Sequence, residues 1–141
     1  MVIVDDLIHL DAPTIAAIHD TILESCPGLP GTKADSSVDA IVGRIQHNVF
    51  YRGLTSIEQV AAIYTEAIAR GHVFNDGNKR TALIATITFL EWNGYEILAS
   101  DDDLAKWVED IAKKTKDCNQ FAVWLKSKLR ETEAAPEVEP S

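Results

Sequence analysis

Apolar residues recur at three- and four-residue spacing through most of the chain, and each such run predicts a helix. Ile15, Ile18 and Ile22 share one face of a segment that Asp11 can cap and Pro13 can enter, reaching about Ser25. Residues 2–10 before it read as a short strand or an irregular lead-in. The next twelve residues, CPGLPGTKADSS, break the pattern with two prolines and two glycines and predict a loop. Behind a cap at Ser36 or Ser37, Val38, Ile41, Val42, Ile45 and Val49 form a second stripe that stops near Phe50. YRGLT follows as a short, extended connection. Thr55 with Glu58 fits a capping box for a third helix, whose Ile57, Val60, Ala61, Tyr64 and Ile68 point inward until Gly71 stops it.

The stretch from Arg70 to Trp92, RGHVFNDGNKRTALIATITFLEW, differs from the rest. In its second half Ala82, Leu83, Ile84, Ala85, Ile87, Phe89 and Leu90 leave no polar stripe beyond small threonines, which predicts a helix packed on all faces. Its first half is a polar loop mounted on the start of that helix. Asn93-Gly94 then terminates, and Tyr95 to Leu98 is a short extended piece. Ser100 and Asp103 cap a helix with Leu104, Trp107, Val108 and Ile111 inward. A last helix from about Asn119 to Arg130 turns Phe121, Trp124, Leu125 and Leu129 inward. The pattern predicts an all-α bundle of six or seven helices over residues 1–130 with at most one small hairpin, followed by an acidic, disordered tail over residues 131–141.

Composition narrows the function classes. A chain of 141 residues is one domain able to bury a core without staples. Its net charge of −9 argues against non-specific nucleic-acid binding, although Glu131, Glu133, Glu137 and Glu139 place part of that charge in the tail. Two cysteines, Cys26 and Cys118, imply free thiols in a reducing compartment. The apolar run Thr81 to Leu90 is too short to span a bilayer, and MVIVDD is not a signal peptide. A soluble, cytoplasmic protein is expected.

The polar loop carries the candidate chemistry. His72 brings an imidazole, the side chain that takes a proton from a hydroxyl near neutral pH. His9, His19 and His47 lack comparable neighbours and read as structural. Phe74 reads as an inward anchor. Asp76 can cap the following helix through Asn78 or Lys79, or it can ligate Mg²⁺, a hard cation that takes one or two carboxylates plus phosphate oxygens. Gly77 permits a turn or a close ligand approach. Asn78, Lys79 and Arg80 place an amide and two cations in the first helical turn, where the helix dipole disfavours cations unless an anion settles between. The glycines, lysine and threonine do not form a phosphate-binding loop of the strand–loop–helix kind. Five residues, not four, separate Gly71 from Gly77, and a helix precedes them.

The string His72-Val-Phe74-Asn-Asp76-Gly77-Asn78-Lys79-Arg80 resembles the signature of the Fic/Doc superfamily, and specifically its death-on-curing (Doc) toxin branch. The likeness extends through GLPG at 28–31, IVGRIQ at 41–46, Arg70-Gly71 and Phe89 to Gly94. It implies an all-α fold with a small hairpin flap, here residues 50–56, that aligns a target segment. It also implies His72 as general base toward a Ser, Thr or Tyr hydroxyl of a protein, and Asp76 as the holder of Mg²⁺ against ATP. Gly77, Asn78, Lys79 and Arg80 would be the phosphate-binding residues, with Arg70 as support of the site.

Two reactions use such a scaffold: Fic proteins transfer AMP, whereas Doc transfers the γ-phosphate. Lys79 stands where the AMP-transferring pattern has its second glycine, and Leu83 where it has a distal arginine, so the resemblance favours phosphate transfer. A lysine in place of that glycine also fills the path by which an α-phosphate could approach the backbone. The chain contains no inhibitory segment with Ser or Thr, three residues, then Glu and Gly or Asn. The resemblance therefore implies an external Phd-type antitoxin as partner, and elongation factor Tu as target. An AMP transferase and a catalytically silent helical binding module are the alternatives.

Overall fold

The computed structural model describes residues 7–25, 28–33, 37–54 and 56–132. Within them lie six helices: α1 Ala12–Ser25, α2 Val38–Tyr51, α3 Ile57–Gly71, α4 Asn78–Trp92, α5 Asp101–Ala112 and α6 Cys118–Lys128. Two three-residue strands, β1 Tyr95–Ile97 and β2 Leu129–Glu131, pair antiparallel with Tyr95 opposite Glu131 and Ile97 opposite Leu129. The small sheet thus joins the chain after α4 to the chain after α6. No strand occurs among the described residues of 50–56, where the flap was expected: α2 runs on to Tyr51 and Arg52–Gly53 turn the chain.

Local caps explain where the helices begin. Ser37 Oγ accepts from Ala40 N–H, Ser100 Oγ from Asp103 N–H and Asp117 Oδ1 from Gln120 N–H. The cap of α3 is Ser56, one residue later than expected, with Gln59 Oε1 accepting from the Ser56 N–H; Thr55 lies outside the described residues. The final helix ends at Lys128, not Arg130, because Leu129 is already extended and Arg130 pairs with Glu96 across the sheet. Glu131, expected to open the tail, is the last residue of β2, and Thr132 N–H still donates to Gly94 O. The rest of the tail, 133–141, lies outside the described residues.

The helix at the centre is α3. It packs against α2, α4, α5 and α6, and Val60, Ala61, Ala62, Ile63 and Tyr64 are all buried. Helix α4 lies against α3, α1, α5 and β1, but only part of it is covered. Ala82, Ala85, Phe89 and Leu90 are buried, while Leu83, Ile87 and Thr88 are half-buried and Ile84 is exposed. The expectation of packing on every face fails along this stripe. Between the two helices the Thr65 and Thr86 hydroxyls meet, and each also lies within bonding distance of its own i−4 carbonyl. With one proton apiece, one hydroxyl serves the pair and the other its own helix.

The lead-in at residues 7–10 is irregular and pinned. Asn93 accepts from Ile8 N–H at 2.7 Å and donates to Ile8 O at 2.9 Å. Leu10 N–H donates to the buried Tyr64 hydroxyl, whose own proton is left for His9 Nδ1 at 2.7 Å. Burial lowers the His9 pKa. The unfolded chain therefore takes that proton first as pH falls through about 6.5. Its stabilising share is complete above that pH and is lost below it. Thermal melts from pH 7.5 to 5.5 are expected to show a falling melting temperature, with a shallower slope in His9→Gln.

Arg70, in the last turn of α3, is a three-way tie. Its Nε donates to Ile111 O at 2.8 Å, its Nη2 to Lys116 O at 2.9 Å, and its Nη1 stands 3.4 Å from Glu66. Glu66 in turn accepts from the backbone N–H of Cys118, the first residue of α6. One cation thereby satisfies carbonyls at and just beyond the end of α5. Arg70→Ala is expected to lower unfolding stability in urea by about 2 kcal/mol, the range for charge-assisted bonds lost with their partners left in place.

Candidate functional site

The site loop is the reversal between α3 and α4. Each end needs an uncommon backbone conformation: His72 caps α3 at φ 51° and Gly77 starts α4 at φ 82°. The second costs little because Gly77 has no side chain; the first is a non-glycine residue in the left-handed region. Between them Val73 and Phe74 turn inward and are buried, while His72, Asn75 and Asp76 remain exposed.

A second segment holds the loop from outside. Residues 28–33 run antiparallel to it, with Lys33 N–H donating to Val73 O at 2.7 Å and Asn75 N–H to Gly31 O at 3.1 Å. Asn75 Nδ2 adds a bond to Pro30 O at 2.9 Å. Gly28 leaves little room beside Asp76. A β-carbon there would stand 3.2 Å from Asp76 Cβ and 3.1 Å from Leu23 Cδ2. The loop of the GLPG sequence is therefore part of the site's mount, not a mere connector.

The expected residues take different places on this frame. Phe74 is the inward anchor, 4% exposed. Asp76 does not cap α4: the helix starts at Gly77 with no side-chain cap, and Asp76 Oδ2 accepts instead from Leu29 N–H at 2.9 Å. Asn78, expected among the phosphate-binding residues, turns its side chain back to the loop. Its Oδ1 accepts from Phe74 N–H at 3.1 Å and its Nδ2 donates to Phe74 O at 3.0 Å, so the amide shapes the loop and keeps one N–H beyond these two bonds. Arg70, expected as support of the site, has its guanidinium turned to the α5–α6 connection.

Lys79 and Arg80 are exposed in the first turn of α4, which carries no acidic residue. That helix start, which no side chain caps, therefore offers backbone N–H groups and the positive dipole end, flanked by two cations and, from the loop, by Asp76 and His72. Among the described residues no group of three or more His, Cys, Asp and Glu could cage a metal ion. A hard cation at Asp76 would need most of its ligands from phosphate and water, which is how Mg²⁺ is commonly held. The donor set fits a magnesium–phosphate ligand and does not fit a cage of protein ligands alone.

Two features were missed in the sequence. One is a cleft of about 610 Å³ between α4 and α5, floored by Leu83, Ile84, Ile87 and Val108, with Lys79 and Arg80 on one wall and Asp101, Asp102 and Glu109 on the other. The Glu109 carboxyl is held below its ordinary range by its bond to Lys113 and, more weakly, by Lys79. The excess of apolar residues on α4 was the available signal, read as core instead of cleft. The other feature is His19, 1% exposed, whose ring stacks on Phe74 with centroids 3.8 Å apart.

No helix among the described residues is long and apolar enough to cross a membrane. The sequence profile described as the Fic/DOC family matches residues 9–90. The chain is 40% identical over 94 residues to Protein kinase doc of Escherichia phage P1, covering 67% of this chain and 75% of that protein. It is 39% identical over 87 residues to Toxin Doc of Mycolicibacterium smegmatis (strain ATCC 700084 / mc(2)155), covering 58% of this chain and 64% of that protein.

Proposed function

Because the chain belongs to the Fic/DOC family, we propose that it is the toxin of a toxin–antitoxin pair and a protein kinase that moves the γ-phosphate of ATP to a protein hydroxyl. The observation that carries this reading is the start of α4, which no side chain caps and whose first turn carries two exposed cations, preceded in the loop by the exposed His72 and Asp76. Cations at a helix start oppose the dipole, and a bound polyphosphate turns that opposition into attraction.

In this reading Lys79, Arg80 and the N–H groups after Gly77 bind the phosphates, and Asn78 keeps the loop in the shape that exposes them. Asp76 would hold Mg²⁺, which supplies neutralisation of charge on the phosphate oxygens. His72 accepts the proton of the attacking Ser or Thr hydroxyl as the hydroxyl oxygen bonds to the γ-phosphorus. The bond from that phosphorus to the β,γ-bridging oxygen breaks and ADP leaves with the electron pair. By the family resemblance the target is elongation factor Tu in the cytoplasm, and its phosphorylation would arrest translation.

The partner would be a Phd-type antitoxin. The α4–α5 cleft supports this, since its apolar floor between oppositely charged walls suits one amphipathic segment and adjoins Lys79 and Arg80. A segment lying there would shut the phosphate site.

Incubation with cell extract and ATP labelled at either the γ or the α position tests the reading. Label from the γ position on one protein is expected. Label from the α position would make the chain an AMP transferase, and no label from either would make it a binding module.

A further inference from the structure

His19 stands at a position where a helix turns its apolar face inward, between Ile15 and Ile22, and it is as buried as they are. An imidazole in a core needs a partner for each polar atom it hides. Its Nε2 lies 2.7 Å from the carbonyl oxygen of Asp76, which can only accept, so Nε2 carries a proton, and its Nδ1 stands 3.5 Å from the carboxylate of the exposed Asp20. Its plane lies 7° from that of Phe74, and the ring edge reaches the backbone of Gly77, where a β-carbon would stand 3.4 Å from His19 Cδ2. One side chain from α1 therefore touches the loop anchor, the carbonyl of the acidic residue and the left-handed residue that starts α4.

From this geometry we infer that His19 is a positioning residue of the phosphate site: its N–H on the Asp76 carbonyl and its stack on Phe74 set the orientation of the Asp76–Gly77 peptide, and through it the Asp76 carboxylate and the first N–H groups of α4. The inference rests on the functional reading above. The Asp76 carbonyl is held from α1, while its carboxylate is held from the other side by Leu29 N–H. Without the imidazole bond, that peptide loses the side-chain donor that α1 sets on its carbonyl and can rotate. Rotation moves the carboxylate and the N–H groups together. The consequence falls on metal–nucleotide affinity more than on the rate once ligand is bound.

Two substitutions separate the parts of this arrangement. His19→Phe keeps a flat ring against Phe74 and removes the donor, whereas His19→Gln restores a donor near the Nε2 position without the ring. With γ-labelled ATP, His19→Phe is expected to raise the half-saturating Mg²⁺ concentration and the KM for ATP about five- to tenfold, with kcat within twofold. His19→Gln is expected to recover most of that loss. Equal Mg²⁺ and ATP dependence in wild type and His19→Phe would overturn the inference, and so would equal losses in both variants that merely follow their melting temperatures.

Long-range ¹H–¹⁵N spectra of the full chain give a readout independent of activity. The His19 proton is expected on Nε2, and His19→Phe is expected to shift the amide signals of Leu29 and of residues 76–80. An Nε2 without a proton, or amide signals unmoved in that stretch, would overturn it as well. Wild-type protein that shifts these amides with Mg²⁺ and ATP yet labels nothing would refute the kinase reading while leaving the positioning role standing.

Discussion

Replacing His72 by alanine is expected to lower transfer of γ-label from ATP to protein by about 10²- to 10⁴-fold, the contribution usual for a positioned general base. The residue stands exposed at the junction of α3 and the loop, so its loss opens no cavity. Its backbone is the complication. At φ 51° an alanine carries a left-handed strain of about 1–2 kcal/mol, enough to shift the loop without any chemical cause. His72→Asn is the control, because asparagine tolerates that conformation and cannot serve as the base. Both variants should fall by the same factor with KM for ATP little changed. Asparagine retaining activity within threefold of wild type, with alanine alone impaired, would assign His72 to the turn and not to the proton transfer.

That double duty of His72 explains why some of the site was legible in the sequence and some was not. Legible features were those written in neighbouring residues: the cations of Lys79 and Arg80 at a helix start, the apolar anchor Phe74, and the Gly77 turn. The helices followed from the same kind of local signal, since stripes such as Ile41, Ile45 and Val49 need only a period and a cap. What stayed hidden depended on partners distant in the chain or on the path of the loop itself. Asp76 could have capped α4, but residues 28–33 fold over it and Leu29 N–H takes the carboxylate. The amide of Asn78 was free to meet phosphate until Phe74 was turned inward and left its N–H and C=O within reach. His19 looked isolated because its neighbours come from a loop more than fifty residues on. A polar residue on an otherwise apolar face was the clue. Strand β2 was hidden for a related reason: Leu129 continues the period of α6, and only pairing with β1 makes it extended.

Phe89→Ala is expected to be the most destabilising single change in α4, lowering unfolding stability in urea by about 3–5 kcal/mol. The ring is fully buried, stacked on Tyr64 with centroids 4.6 Å apart and near the ring of His9 at 5.8 Å. Its removal leaves a void between α3 and α4 that the pinned lead-in at Ile8 and Leu10 cannot close, because that segment is bonded to Asn93 and to the Tyr64 hydroxyl. The void should loosen the very contact that hides His9, so the fall of melting temperature below pH 6.5 should shrink in the same variant. Phosphate transfer per folded molecule should change less than tenfold, since Phe89 lies eleven residues beyond Asn78, roughly 16 Å along the helix axis. A rate that collapsed with stability at temperatures where the variant is still folded would mean that the start of α4 is held by its far end, and not by the loop, Leu29 and His19 that surround it.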